Sequence, residues 1–93
     1  MTDLMELASR VDAGEGCDNA IDVEIEVALF EADHLYSACR SNSEGTKVIY
    51  TRRLDGGEET CWSPDWTGGP AVRGRTAALI RARARQGTAH VEQ

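Results

Sequence analysis

The sequence predicts an α+β domain in which helices flank a three-stranded antiparallel meander. Three observations lead there. Apolar residues recur at helical spacing near the start, three short β-rich segments between residues 34 and 63 are cut by Gly, Asn and Asp, and an alanine-rich segment is opened by Pro70. At 93 residues the chain makes one small α+β domain, expected over 1–87 and followed by a flexible tail at 88–93. A domain of that size buries about 60–65% of the surface its unfolded chain exposes.

Leu4, Leu7, Ala8 and Val11 stand at i, i+3, i+4 and i+7, one face of a helix over residues 3–12. Asp3 is placed to cap it, with Glu6 three residues later. Gly14 and Gly16 in "AGEG" break the pattern, and Asp18 is placed to cap the next element. That element, "AIDVEIEVALF" at 20–30, carries two periods at once. Ile21, Val23, Ile25, Val27 and Leu29 alternate with Asp22, Glu24, Glu26 and Ala28 as in a half-buried strand. Wound as a helix, it would put Ile21, Ile25, Ala28 and Leu29 on one face and Val23, Val27 and Phe30 on the opposite one, with acid edges between. The pattern alone leaves both readings open.

"HLYSACR", "TKVIYTRR" and "EETCWS" are rich in β-formers, and the intervening "SNSEG" and "LDGG" suit tight turns. They form the meander, with Val48, Tyr50, Trp62 and one alternating set around Leu35 turned toward a helical layer. "SPDWTGGP" is an irregular connection. A last helix then runs from Pro70 to about Gln86, with Ala77, Ile80 and Ala84 on one face and Gly87 ending it.

Charge is distributed unevenly. Residues 1–33 hold ten acids and one base, Arg10, whereas residues 34–93 hold six acids and nine bases, within an overall net charge of −6. No apolar run approaches the roughly 18 residues of a membrane span, and "MTDLMELASR" lacks the basic and apolar blocks of a leader, so a soluble, cytoplasmic protein is expected. Cys17, Cys39 and Cys61 form no CxxC pair, and their odd number fits a reducing compartment.

"ASRVDAGEGCDNAIDVEIEVAL", followed by "GTKVIYT", "CWSPDWT" and "RTAALIRARA", resembles small proteins of unknown function carried by phages and prophages of alphaproteobacteria, of the phage ABA-sandwich type. Members of that family run a front helix, a G-x-D turn and a D-x-x-I helix ending in Ala-Leu; Gly16, Asp18, Asp22 and Ile25 stand at those positions here. Cys17 replaces the proline common in these turns, and residues 77–84 match the family's alanine-rich closing helix. The resemblance implies that residues 18–30 are a helix. The expected fold is thus two N-terminal helices, the meander, and a C-terminal helix packed on the sheet. No catalytic residue is carried over.

The residues themselves point to no reaction. His34, Cys39, Cys61 and Cys17 lack the paired spacing of a zinc site and read as small buried hydrophobes plus a surface histidine. A Cys39–His34 catalytic pair lacks an orienting third group, and neither GxGxxG nor GxxxxGK[ST] is present. No enzyme activity, metal or cofactor is expected.

On the helical reading Asp18, Asp22 and Glu26 form one stripe at i, i+4 and i+8, where like charges are mildly destabilising. Such a stripe either mimics nucleic-acid phosphates before a basic groove, is solvated, or is answered by the arginines of the last helix. Trp66 is either a partner anchor or a lid over the core. Arg73, Arg75, Arg81, Arg83 and Arg85 lack an aromatic platform, and direct nucleic-acid binding is not expected. The expected function is that of a phage-encoded, non-enzymatic protein that inhibits a host nucleic-acid-handling defence complex, a CRISPR effector or nuclease, by binding it as an anti-CRISPR protein does. Asp18, Asp22, Glu24, Glu26, Glu31, Asp33 and Trp66 are the expected contacts. The alternative is a structural or accessory phage protein that self-associates or binds virion components.

Overall fold

The computed structural model describes residues 3–92, with side chains described through Gln86. Its elements are α1 (Leu4–Ala13), α2 (Asn19–Leu29), β1 (Tyr36–Ser41), β2 (Val48–Arg52), β3 (Glu58–Cys61) and α3 (Pro70–Glu92), the α+β fold expected. Among the described residues no helix is long and apolar enough to cross a membrane. Both predicted caps form. Asp3 accepts from the amides of Met5 and Glu6, and Asp18 accepts from that of Ile21.

The residues with two periods are helix α2, and their double pattern has a physical cause: the helix is enclosed from two directions. Ile25 joins Leu7, Ala8 and Val11 of α1 and Ala77 and Ile80 of α3 in the main core, with Ile21, Ala28 and Leu29 packed against it. Val23 is buried outside that cluster and, with Val27, lines a hollow against Ser41 and Gly45 on the sheet side. Helices α1 and α3 pack along each other, and α2 lies between that pair and the sheet. A helix covered on two sides must carry apolar residues on both, and that mimics the alternation of a strand.

The sheet has the order β1-β2-β3, antiparallel throughout, with an irregularity in the β1 register between Tyr36 and Ala38. Cys39 opposes Tyr50, which in turn opposes Glu59, while Val48 opposes Ser41 and Cys61. Val48 is fully buried, and the tyrosine reaches α2 through its hydroxyl, so this is the covered face. Gly45 (φ 70°) and Gly56 (φ 71°) supply the left-handed residues of the two predicted turns. Asn42 and Asp55 accept amide hydrogen bonds inside those turns.

Three expectations change. Trp62, expected to face the helices, lies beyond the end of β3 and is 65% exposed, with the Lys47 ammonium 4.7 Å from its ring centre. Cys61 is exposed but stands opposite the buried Val48, on the covered face, so the next residue falls on the uncovered one by simple alternation. Of the residues around Leu35, it is Tyr36 and Cys39 that are half-buried, and Leu35 itself is exposed. Helix α3 continues past Gly87, because one glycine inside a helix costs only about 1 kcal/mol and does not compel a stop. The side chains from Gly87 onward, and with them the expected tail at 88–93, lie outside the described residues.

Arg73, one of the five bases of the last helix, is only 4% exposed. Its guanidinium donates to the carbonyl of Val11 at 2.7 Å and, through Nε and Nη2, to that of Gly16 at 3.1 and 2.7 Å. It thereby satisfies the C-terminal end of α1, where positive charge is favoured.

Because α2 is packed on both faces, Val23→Ala and Ile25→Ala should both lower the urea midpoint, with Ile25→Ala costing about 2–5 kcal/mol. Glu24→Ala, which removes only an exposed ion pair with Arg10, should cost under about 1 kcal/mol. Equilibrium urea denaturation of the three variants measures these differences.

Candidate functional site

The acid edge of α2 is turned into the protein. Asp22 is 6% exposed, and its Oδ1 accepts from the Thr67 hydroxyl at 2.8 Å and the Trp66 amide at 3.0 Å. The same Thr67 oxygen accepts the Asp18 amide at 2.8 Å, and Ser63 Oγ donates to the Asp22 carbonyl. One helical turn on, Glu26 takes one donor on each oxygen: Trp66 Nε1 at 3.1 Å and the Tyr50 hydroxyl at 2.5 Å. The partners are thus the 63–67 connection and a strand, instead of the arginines of the last helix. Burial raises the Asp22 carboxyl above its ordinary value, opposed by the Thr67 and Trp66 hydrogen bonds that favour the charged form.

The remaining acids divide between two arrangements. Glu24 pairs with Arg10, and Glu31 with Arg83; Asp12, outside the expected set, pairs with Arg81. Asp33 turns the chain into β1, its Oδ1 accepting from the amides of Leu35 and Tyr36 at 2.8 Å each, which hold its carboxyl below the usual value. Trp66 is half-buried against the main core and hydrogen-bonded at both its amide and its indole nitrogen. It serves as a lid over that core.

Where α2 ends at Leu29, α3 and the sheet continue, and a cleft of about 540 Å³ opens between them. Its aromatic wall is Phe30, Tyr36 and Tyr50. The Tyr36 and Tyr50 ring centres lie 5.1 Å apart, and those of Phe30 and Tyr50 6.1 Å apart, both pairs tilted. Both phenols are anchored by carboxylates, Tyr50 on Glu26 and Tyr36 on Glu59 at 2.9 Å. Burial, then the Glu26 hydrogen bond, pushes the Tyr50 phenol up; the Glu59 hydrogen bond chiefly does so for Tyr36. Both rings are therefore neutral and fixed at physiological pH. Glu26, Glu31 and Asp33 bring negative charge to the lining, and Arg83 is the cation among the lining residues.

Of the seven expected contacts, Glu26, Glu31, Asp33 and Trp66 come together here, while Asp18 and Asp22 sit behind Trp66 and Glu24 pairs with α1. Phe30, Tyr36, Tyr50 and Leu79 are site residues that sequence reasoning misses. Strand alternation places Tyr50 on the covered face, but nothing local says that Phe30 will meet it. The cysteines do not gather with His34: among the described residues no group of three or more His, Cys, Asp or Glu side chains could hold a metal ion. Contrary to the expectation of buried cysteines, Cys17 and Cys61 are exposed and Cys39 is half-buried; burial pushes the Cys39 thiol up to about 11, which keeps it protonated.

Asp22→Ala leaves the Thr67 hydroxyl and Trp66 amide without their acceptor and should cost about 2–4 kcal/mol. Asp22→Asn, which keeps an acceptor oxygen, should cost less. A carboxyl whose folded value is raised binds more protons folded than unfolded, so its contribution to stability falls as pH rises from about 3.8 through that folded value. The advantage of the wild type over Asp22→Asn should therefore be larger at pH 4 than at pH 7 in urea titrations.

Compared with known proteins, the chain matches no family model, no curated protein and no solved structure.

Proposed function

We propose that the chain acts by binding another protein, as an inhibitor of a host nucleic-acid-handling complex of the kind implied by its resemblance to small phage proteins. The contact surface is the cleft between α2, α3 and the sheet. The observation that carries this reading is the fixed aromatic wall of Phe30, Tyr36 and Tyr50 in an open cleft, beside the exposed Leu79 on α3. Aromatic side chains held in place beforehand provide contact area at little entropic cost and dominate binding hot spots. The cleft volume lies in the range of sites that take a side chain or small ligand.

Recognition by the cleft differs from phosphate mimicry by the acid stripe. Asp22 is buried with its Oδ1 on Thr67 and Trp66, and both Glu26 oxygens are taken by Trp66 and Tyr50, so the stripe presents little carboxylate to a basic groove. The protein would meet its partner in the host cytoplasm.

A benzophenone side chain placed at Leu79, on the cleft rim, should crosslink in an alphaproteobacterial lysate to a nuclease or CRISPR effector subunit. The same group at the exposed Met5 of α1, away from the cleft, should not. Crosslinks only to a second copy of the chain would favour a self-associating accessory protein, and equal capture from both positions would remove the cleft from the reading.

A further inference from the structure

We propose that the occupant of the cleft is an arginine side chain of the protein partner, stacked on the Tyr36–Tyr50–Phe30 wall and held by Asp33 and Glu31; this rests on the cleft being the contact surface. Charge and ring chemistry carry the argument. Three carboxylates line the cleft against one guanidinium. Glu26 has its oxygens filled by an indole N–H and a phenol O–H, both neutral donors that bring no positive charge to the carboxyl. Asp33 uses Oδ1 for two backbone amides, which stabilise its ionised form, and the Arg53 guanidinium that donates to its carbonyl offsets part of that charge.

Beside these charges stand aromatic rings, whose electron-rich faces attract cations, with gains of about 0.5–2 kcal/mol as the site becomes desolvated. A planar guanidinium satisfies both features together. It stacks on a ring and presents a fork of N–H donors to a carboxylate, which a compact ammonium does less well. The chain supplies an internal example of the carboxylate contact alone: the Arg83 guanidinium, itself part of the lining, pairs with Glu31 at the rim. Arg83 thus competes for Glu31, and its removal frees a carboxylate for the incoming side chain. Arginine-rich surfaces are what nucleic-acid-handling proteins present, so the inferred occupant and the proposed partner class agree.

The test is a titration of the labelled protein, followed by ¹H–¹⁵N correlation spectra, with N-acetyl-arginine amide, N-acetyl-lysine amide and the uncharged N-acetyl-norleucine amide. The arginine probe should give saturable shifts confined to amides around the cleft, weaker for lysine and absent for norleucine. Asp33→Asn keeps the Oδ1 acceptor of the turn, so the fold should survive, and should weaken arginine binding roughly two- to fivefold. Arg83→Gln should change it by a similar factor in the opposite direction. Equal shifts from norleucine, equal binding of lysine, no cleft shifts, or two variants moving affinity the same way would each overturn the proposal. Crosslinking from Leu79 to a partner without arginine selectivity would sink the arginine assignment and spare the cleft. Arginine binding in the cleft with no such partner captured would sink the host-complex reading and spare the cleft and its arginine selectivity.

Discussion

Enclosure of helix α2 on two sides is the constraint on which the other features depend. A helix in that position has apolar residues on opposite faces, and two of the acids between them, Asp22 and Glu26, lie at the seams of the packing, while Glu24 pairs with Arg10 on the outside. Asp22 occupies such a seam, and it is satisfied by a hydroxyl and a backbone amide where a cation could have served. Neutral donors make the desolvation of a carboxylate tolerable only if each is held in place. That requirement organises the 63–67 connection. Ser63, Trp66 and Thr67 all bond to α2, and Thr76 of α3 donates to the Trp66 carbonyl, so a segment without regular structure ties the middle helix to the last one.

Arg73 is the counterpart of Asp22. It too is buried without an opposite charge, and it too is satisfied by the irregular part of the chain, the carbonyls at the end of α1 and in the turn after it. Gly14 leaves room for this guanidinium: a Cβ there would lie 2.5 Å from Arg73 Nη1, which would have to shift. The chain thus keeps two buried charges apart and uses each to hold a connection that hydrophobic burial alone would leave loose. Removing either partner of such an arrangement strands polar groups, which is why these connections have little freedom to change.

The cleft is a by-product of the same layering. Helix α2 separates α3 from the sheet but stops at Leu29, so beyond its end the two outer layers face each other across open space. Phe30 turns in from the helix end, and Tyr36 and Tyr50 turn in from paired strands. Glu26 links Tyr50 with Trp66, which joins this wall to the buried network around Asp22. The rigidity of the interior is in this way passed on to the wall of the cleft.

Much of this was legible in the sequence because it depends on local chemistry. Asp3 and Asp18 cap helices with their own side chains, Gly45 and Gly56 take conformations other residues avoid, and the β-rich segments pair in chain order across short turns. The pattern of residues 20–30 even contained the answer, since two apolar faces describe a central helix as well as a strand. The direction in which each acid edge points was beyond it. Asp22 and Glu26 find their partners 24 to 45 residues away, at Tyr50, Trp66 and Thr67, and a carboxylate facing solvent reads the same as one facing a hydroxyl. Trp62 and Trp66 show the same limit. Each is a tryptophan near the end of the meander, but one continues the strand onto the open face while the other folds back over the core. The amino acids determined the caps, the turns and the pairing order of the strands; only the packing of three layers decided that residues 20–30 are a helix, which charges are buried and where a cleft is left.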